Sequence, residues 1–149
     1  MPVFSVTTEG EEAITTAAET LVQLRGATTG RGRVVKWGVF FDGINAAAPP
    51  VQVELARQTT DGTGSAATEV EWDEDDGAAG ITAFHSFSAE PTKGAVLEHL
   101  EIHPQGGGVI VEYPPGREPI VAAATTSRLG VIVTAGEAVN AVAFIVWEE

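Results

Sequence analysis

The chain has 149 residues, 44% of them hydrophobic, and sets 21 acidic against 8 basic side chains for a net charge of −13. A domain of this size hides roughly 70% of its unfolded surface, and with no cysteine it excludes disulfide frameworks, thiolate metal sites and thiol catalysis. The acidity excludes nucleic-acid binding by phosphate neutralisation, and no apolar run approaches the roughly 18 residues of a membrane span.

The first residues, Met1-Pro2-Val3-Phe4-Ser5, lack the basic start and apolar stretch of a secretory signal. A cytosol is therefore the expected place of synthesis. Val3, Phe4 and Val6 alternate with polar residues ahead of Glu9-Gly10-Glu11-Glu12, which suggests an N-terminal arm within residues 1–12 that could pair with an open sheet edge. From Glu11 to Leu24, Ile14, Ala17, Ala18, Leu21 and Val22 have helical spacing, but Thr15, Thr16 and Thr20 oppose a helix. The reading adopted is a short strand near Ile14, a turn, and a second strand from Thr20 to Arg25.

Arg33 to Asp42 is the clearest strand, with a period of two and Val35, Trp37, Val39 and Phe41 expected to face the core. Val51 to Gln58 alternates in the same way, and Asp61 to Ser65 reads as a loop. Thr68 to Trp72 reads as a short strand before an acidic, glycine-rich stretch. Strands are then expected at Ile81–Ser88, Ala95–His103, Val109–Tyr113, Ile120–Ala124, Leu129–Thr134 and Ala138–Trp147, with Val142, Phe144 and Val146 facing the core. The expectation is one all-β domain over residues 1–149, an antiparallel β-sandwich of jelly-roll type with about eight to ten strands.

No pattern carries catalytic chemistry. His99-x-Glu101-x-His103 spans about 13 Å along a strand, too far for two ligands of one zinc ion. His85 reads as a packed or surface histidine. The acids Glu69, Glu71, Asp73, Glu74, Asp75 and Asp76 lack the ordered ligand positions of a calcium loop. Serines have no Gly-x-Ser-x-Gly elbow. Neither a metal nor another cofactor is expected, and the chain does not read as an enzyme. Two features point instead to contact surfaces. A glycine turn gathers Arg25, Arg31 and Arg33 into a basic docking patch, and Trp72 and Tyr113, flanked by charges and prolines, are candidate exposed aromatic contacts.

The order of motifs carries a resemblance. Trp37-Gly38-Val39-Phe40-Phe41-Asp42-Gly43, Pro50-Val51-Gln52-Val53-Glu54-Leu55 and Asp61-Gly62-Thr63 are followed by His103-Pro104, Pro114-Pro115-Gly116-Arg117-Glu118-Pro119 and Arg128-Leu129-Gly130-Val131. A hydrophobic strand then ends in Trp147-Glu148-Glu149. This texture resembles the small β-sandwich decoration (cement) proteins of tailed bacteriophage heads. The resemblance implies a virion protein on the capsid exterior, bound to the major capsid protein and self-associated, commonly as a trimer. It carries over no functional residue. Val3, Phe4, Val6, Arg25, Arg31 and Arg33 are the residues expected at the protein interface. A carbohydrate-binding or adhesive module of a phage head or tail fibre is the alternative, with a cupin-type jelly-roll enzyme behind it.

Overall fold

The computed structural model describes residues 1–149. It has thirteen strands and no helix: β1 (Val3–Thr7), β2 (Glu12–Ile14), β3 (Glu19–Arg25), β4 (Gly32–Phe41), β5 (Val51–Gln58), β6 (Thr63–Ala66), β7 (Val70–Glu71), β8 (Thr82–Ala89), β9 (Lys93–Ile102), β10 (Gly108–Glu112), β11 (Ile120–Val121), β12 (Arg128–Thr134) and β13 (Val139–Glu148). They form two antiparallel sheets. The first runs β10-β4-β13-β1-β7, with β11 also on β4 and β2 also on β13; the second runs β6-β8-β3-β12-β5-β9. The expected antiparallel sandwich is therefore what forms. It holds more than eight to ten strands because the N-terminal segment pairs within the first sheet as β1, and because Thr63–Ser65, expected as a loop, pairs with β8 as part of β6.

One cluster of 26 buried residues fills the space between the sheets. The first sheet contributes Phe4, Val6, Trp37, Val39, Ile145 and Trp147; the second contributes Leu24, Val53, Leu55, Leu129, Val131 and Val133. The two buried tryptophans each carry an N–H that needs an acceptor. Trp37 Nε1 donates to the Tyr113 hydroxyl (2.9 Å), which donates in turn to Glu98 on β9 (2.7 Å), so a hydrogen-bonded chain joins the sheets at one side. Trp147 Nε1 donates to Glu149 (2.9 Å), whose carboxylate also accepts from the backbone of Gly80 (2.8 Å) and Ile81 (2.9 Å). The Trp147 ring stacks on Phe4, with centroids 5.8 Å apart.

Three expectations about facing are corrected. The alternation predicts Val35 in the core, but Val34 is buried and Val35 only half-buried. The register slips between Val146↔Lys36 and Trp147↔Val34, so Val35 is the extra residue of a β-bulge and shifts parity at the start of β4. In β13 the parity is opposite to the expectation. Ala141, Ala143, Ile145 and Trp147 face the core, while Val142 is 38% exposed and Phe144 points outward; Val146 is buried, but on the outer side of the sheet. Finally, residues 1–12 are not a free arm. β1 lies between β13 and β7, with Phe4 opposite Trp147 and Val6 opposite Ile145, and both are buried.

The segment over residues 11–24 does form a strand, a turn and a strand, as the threonines indicated.

The β13 assignment gives a contrast between neighbours in one strand. Ile145→Ala should cost about 2–5 kcal/mol of stability, as core truncations do, whereas Val142→Ala should stay within about 0.5 kcal/mol. Urea denaturation of both variants checks it, and comparable losses would mean that the facing is wrong.

Candidate interaction surface

The outer face of the first sheet is built from the residues that β13 and its neighbours turn away from the core. Cross-strand register places Ile110, Gly38, Phe144 and Thr7 in one row, Gly108, Phe40 and Val142 in the next, and Glu112, Lys36, Val146, Ser5 and Val70 in a third. Aromatic rings lie over glycines in this arrangement. A Cβ on Gly38 would stand 2.5 Å from the Phe144 ring, and one on Gly108 would collide with Phe40. Glycine is thus required at both positions for the rings to lie flat across the neighbouring strand, as in aromatic covering of sheet glycines.

The result is an unusually apolar surface for so acidic a chain. Five of the nine large hydrophobic side chains that stand exposed are on or beside it: Phe40, Ile110, Val142, Val70 and Trp72, the last 60% exposed. The charges within it are Lys36 and Glu112, which lie opposite each other and pair at 3.7 Å. Scattered apolar residues need no explanation, but a contiguous exposed patch marks a contact surface.

Trp72 and Tyr113 meet at one end of this face. Together with Val3, Lys36, Val146 and Glu148 they line a groove of about 310 Å³. The Lys36 ammonium sits 5.5 Å from the centre of the Trp72 ring, a cation–π contact that settles Trp72 against the sheet. Tyr113 is half-buried, and burial first, then its bond to Glu98, pushes its hydroxyl above the ordinary phenol range. It therefore remains a neutral hydroxyl tied to Trp37 and Glu98, with one flank of its ring available to the groove.

The three arginines are not gathered into one patch, and that expectation is corrected. Arg25 stacks on Phe84 (3.5 Å to the ring centre), donates to Gln23 (2.7 Å) and to the Asp61 carbonyl (2.7 Å), and pairs with the Asp61 carboxylate at 3.7 Å. It is spent on the second sheet, where Arg128 also binds Asp61. Arg31 and Arg33 stay exposed, and neither makes an ion pair. Arg33 lies opposite Glu148, at the same end of the apolar face as the groove that Glu148 lines. Among the expected interface residues, then, Phe4 and Val6 are core, Arg25 is internal bracing, Val3 lines the groove, and Arg31 and Arg33 remain available.

The histidines join contacts that the sequence did not reveal. His99 Nδ1 lies 3.2 Å from the nearly buried Glu54, which also accepts from Lys93 (2.7 Å). Burial pushes the Glu54 carboxyl up, but the bonds from Lys93 and His99 outweigh it and hold the group below its usual range. His103 Nδ1 instead accepts from the Gln105 backbone at 3.1 Å. His85 sits between Glu12 (3.1 Å) and Glu9 (3.5 Å), with Ser86 Oγ 2.8 Å from its Nδ1. Ser86 donates to Glu12, and the cluster ties the β1–β2 turn to β8. No group of three or more His, Asp or Glu side chains has the geometry to hold a metal ion.

No protein-family model, curated protein or solved structure gives a significant match to the chain. The surface must be read from its own chemistry.

The bracing around Asp61 gives a pH dependence. The Arg128 bond, aided by the charges of Arg25 and Arg128, holds the Asp61 carboxyl below its usual value against a smaller opposing effect of burial. A carboxyl lowered on folding adds stability that is full above its unfolded pKa of about 3.9 and is lost as pH falls through the folded value. The melting temperature should therefore drop on acidification below about pH 4, and Asp61→Asn should start lower at neutral pH and fall less steeply. Parallel acid profiles for the two proteins would show that Asp61 contributes nothing.

Proposed function

We propose that the protein is a non-enzymatic structural protein that binds other protein subunits through the outer face of its first sheet. The observation that carries this reading is the cluster of Phe40, Ile110, Val142 and Phe144 on two adjacent rows of that face, apolar and uncharged on a chain of net charge −13. Folding has already buried a full core without these groups, so their exposure costs solubility unless a partner covers them. The carboxylates elsewhere disfavour nonspecific association and leave this face as the place where contact costs least.

The resemblance to phage head decoration proteins gives that partner an identity: the major capsid protein, bound from the capsid exterior. Arg31 and Arg33 would flank the contact and offset repulsion from an acidic capsid surface at low salt. Fold alone does not fix function, so the reading stands on binding. Capsids lacking the protein should take it up in cosedimentation. Phe40→Ser with Val142→Ser should weaken uptake at least about tenfold, a loss on the order of 1.4 kcal/mol. Val96→Ser with Leu97→Ser, exposed apolar residues on the other sheet, should leave uptake unchanged. Equal binding by both double variants would refute the docking face, and no uptake by the parent protein would refute the capsid.

A second reading has its own observation. Trp72 and Tyr113 line one groove with charged groups at its rim, the arrangement by which an aromatic platform takes up a sugar ring. Titrating oligosaccharides while following tryptophan fluorescence tests it. Saturable quenching that Trp72→Ala abolishes would support an adhesive module, and a flat titration across a broad glycan panel would remove that reading.

A further inference from the structure

The sandwich leaves six strands with an unpaired edge: β10, β7, β11 and β2 in the first sheet, β6 and β9 in the second. Unpaired edges recruit other strands unless they are short, bulged or charged. Five of the six are protected in these ways; β2 has only three residues and β11 only two. β9 carries Lys93, Glu98, His99 and Glu101 and meets β5 through two register shifts. β6 has four residues and an irregular register, and β7 has two residues and leads into the acids Asp73 to Asp76. β10 has none of these protections. Its sequence is Gly108-Val109-Ile110-Val111-Glu112, it pairs with β4 without a register shift, and it has a single charge at its end.

The free side of β10 can be assigned residue by residue. Phe41 N–H donates to the Gly107 carbonyl (2.9 Å) and Tyr113 N–H donates to the Val35 carbonyl (3.0 Å), so residues 107 and 113 turn their backbone groups toward β4. Bonding direction alternates along an antiparallel strand. Val109 and Val111 therefore also bond β4, and the N–H and C=O groups of Gly108, Ile110 and Glu112 point away from the sheet. All three residues are exposed, Ile110 at 53%.

From this edge we infer that the protein forms a two-fold dimer in which β10 pairs antiparallel with β10 of a second copy, centred on Ile110. That register is the one that satisfies every outward group. Ile110 bonds Ile110 of the copy, and Gly108 bonds Glu112 on either side, for about six backbone hydrogen bonds. It also suits the side chains. Val109 and Val111, half-buried at the rim of the core, meet Val111 and Val109 of the copy and close that rim. Glu112 stands opposite a glycine rather than a second carboxylate, its counterpart about 13 Å away along the strand. Its own charge is already held by Lys36. A second copy fits better than an unrelated strand because the segment is complementary to itself about Ile110, the symmetry that an isologous contact requires. The dimer would also join the two apolar outer faces edge to edge, which extends the docking surface beyond the reach of one chain.

The test is sedimentation equilibrium of the intact protein from micromolar to millimolar concentration, at low and high sodium chloride. The expected mass rises to twice the 15.5 kDa of the chain, and more readily at high salt, because each copy carries −13. Ile110→Pro removes an outward N–H that the β4 ladder does not use, and proline is tolerated at such edge positions. Ile110→Lys adds the charge by which natural edges repel pairing. Both should remain at the single-chain mass with unchanged circular dichroism, and the Ile110 amide of the parent should exchange more slowly as concentration rises. If the proline variant does not fold, the lysine variant and the amide exchange decide. A single-chain mass at every concentration, a trimer, or a dimer that Ile110→Lys leaves intact would overturn the inference.

Discussion

β13 is apolar on both faces, and only one face can enter the core. That constraint organises the rest of the molecule. The inward set is fixed by Trp147, whose ring stacks on Phe4 and whose N–H is held by Glu149. No neighbouring position could supply both contacts, and a one-residue slip would transfer every side chain to the opposite face. Once Trp147 is inside, Ala143 and Ala141 follow it, and their small size leaves room for Trp37, Phe41 and the second sheet. Val142 and Phe144 are then committed to the outside. There they join Phe40 and Ile110 from β4 and β10 in a face that the fold itself does not need.

This division explains how a chain with so many carboxylates can hold a binding surface. Its acids are concentrated in turns, in the β7–β8 connection and on the second sheet, where several are already engaged. Glu54 holds Lys93 and His99, Asp61 holds Arg25 and Arg128, and Glu9 and Glu12 bracket His85. The outer face of the first sheet keeps the compensated pair of Lys36 with Glu112 and, at its groove end, Glu148 opposite Arg33. Electrostatic repulsion thus acts broadly to prevent indiscriminate association, while one apolar area is left on which contact carries little charge penalty.

The sequence made the strands legible and the facing only partly so. Trp37, Val39 and Phe41 follow their alternation because the opposite positions hold Lys36 and Gly38. In β13 both alternating sets are apolar. Local composition favours the set with more valine and phenylalanine for the core, although the deciding residue is the single tryptophan in the other set. Val35 escapes the alternation because a bulge is set by the pairing strand, which the local pattern does not contain. The N-terminal alternation identifies a strand but not its partner, which is why Phe4 and Val6 look like an arm in the sequence and are core in the fold. Trp72 was legible as exposed from its acidic neighbours. The chain from Trp37 through Tyr113 to Glu98 was not, since it joins three segments that only the folded sandwich brings together.

The central claim is that the outer face of the first sheet is covered when the protein is at work. Hydroxyl-radical footprinting of the protein free and bound to capsids tests this at individual side chains. Phe40, Ile110, Val142 and Phe144 should be oxidised in the free protein and protected in the bound one, while Val96 and Leu97 react equally in both. Protection confined to the second sheet, or none on the four residues of the first, would contradict it.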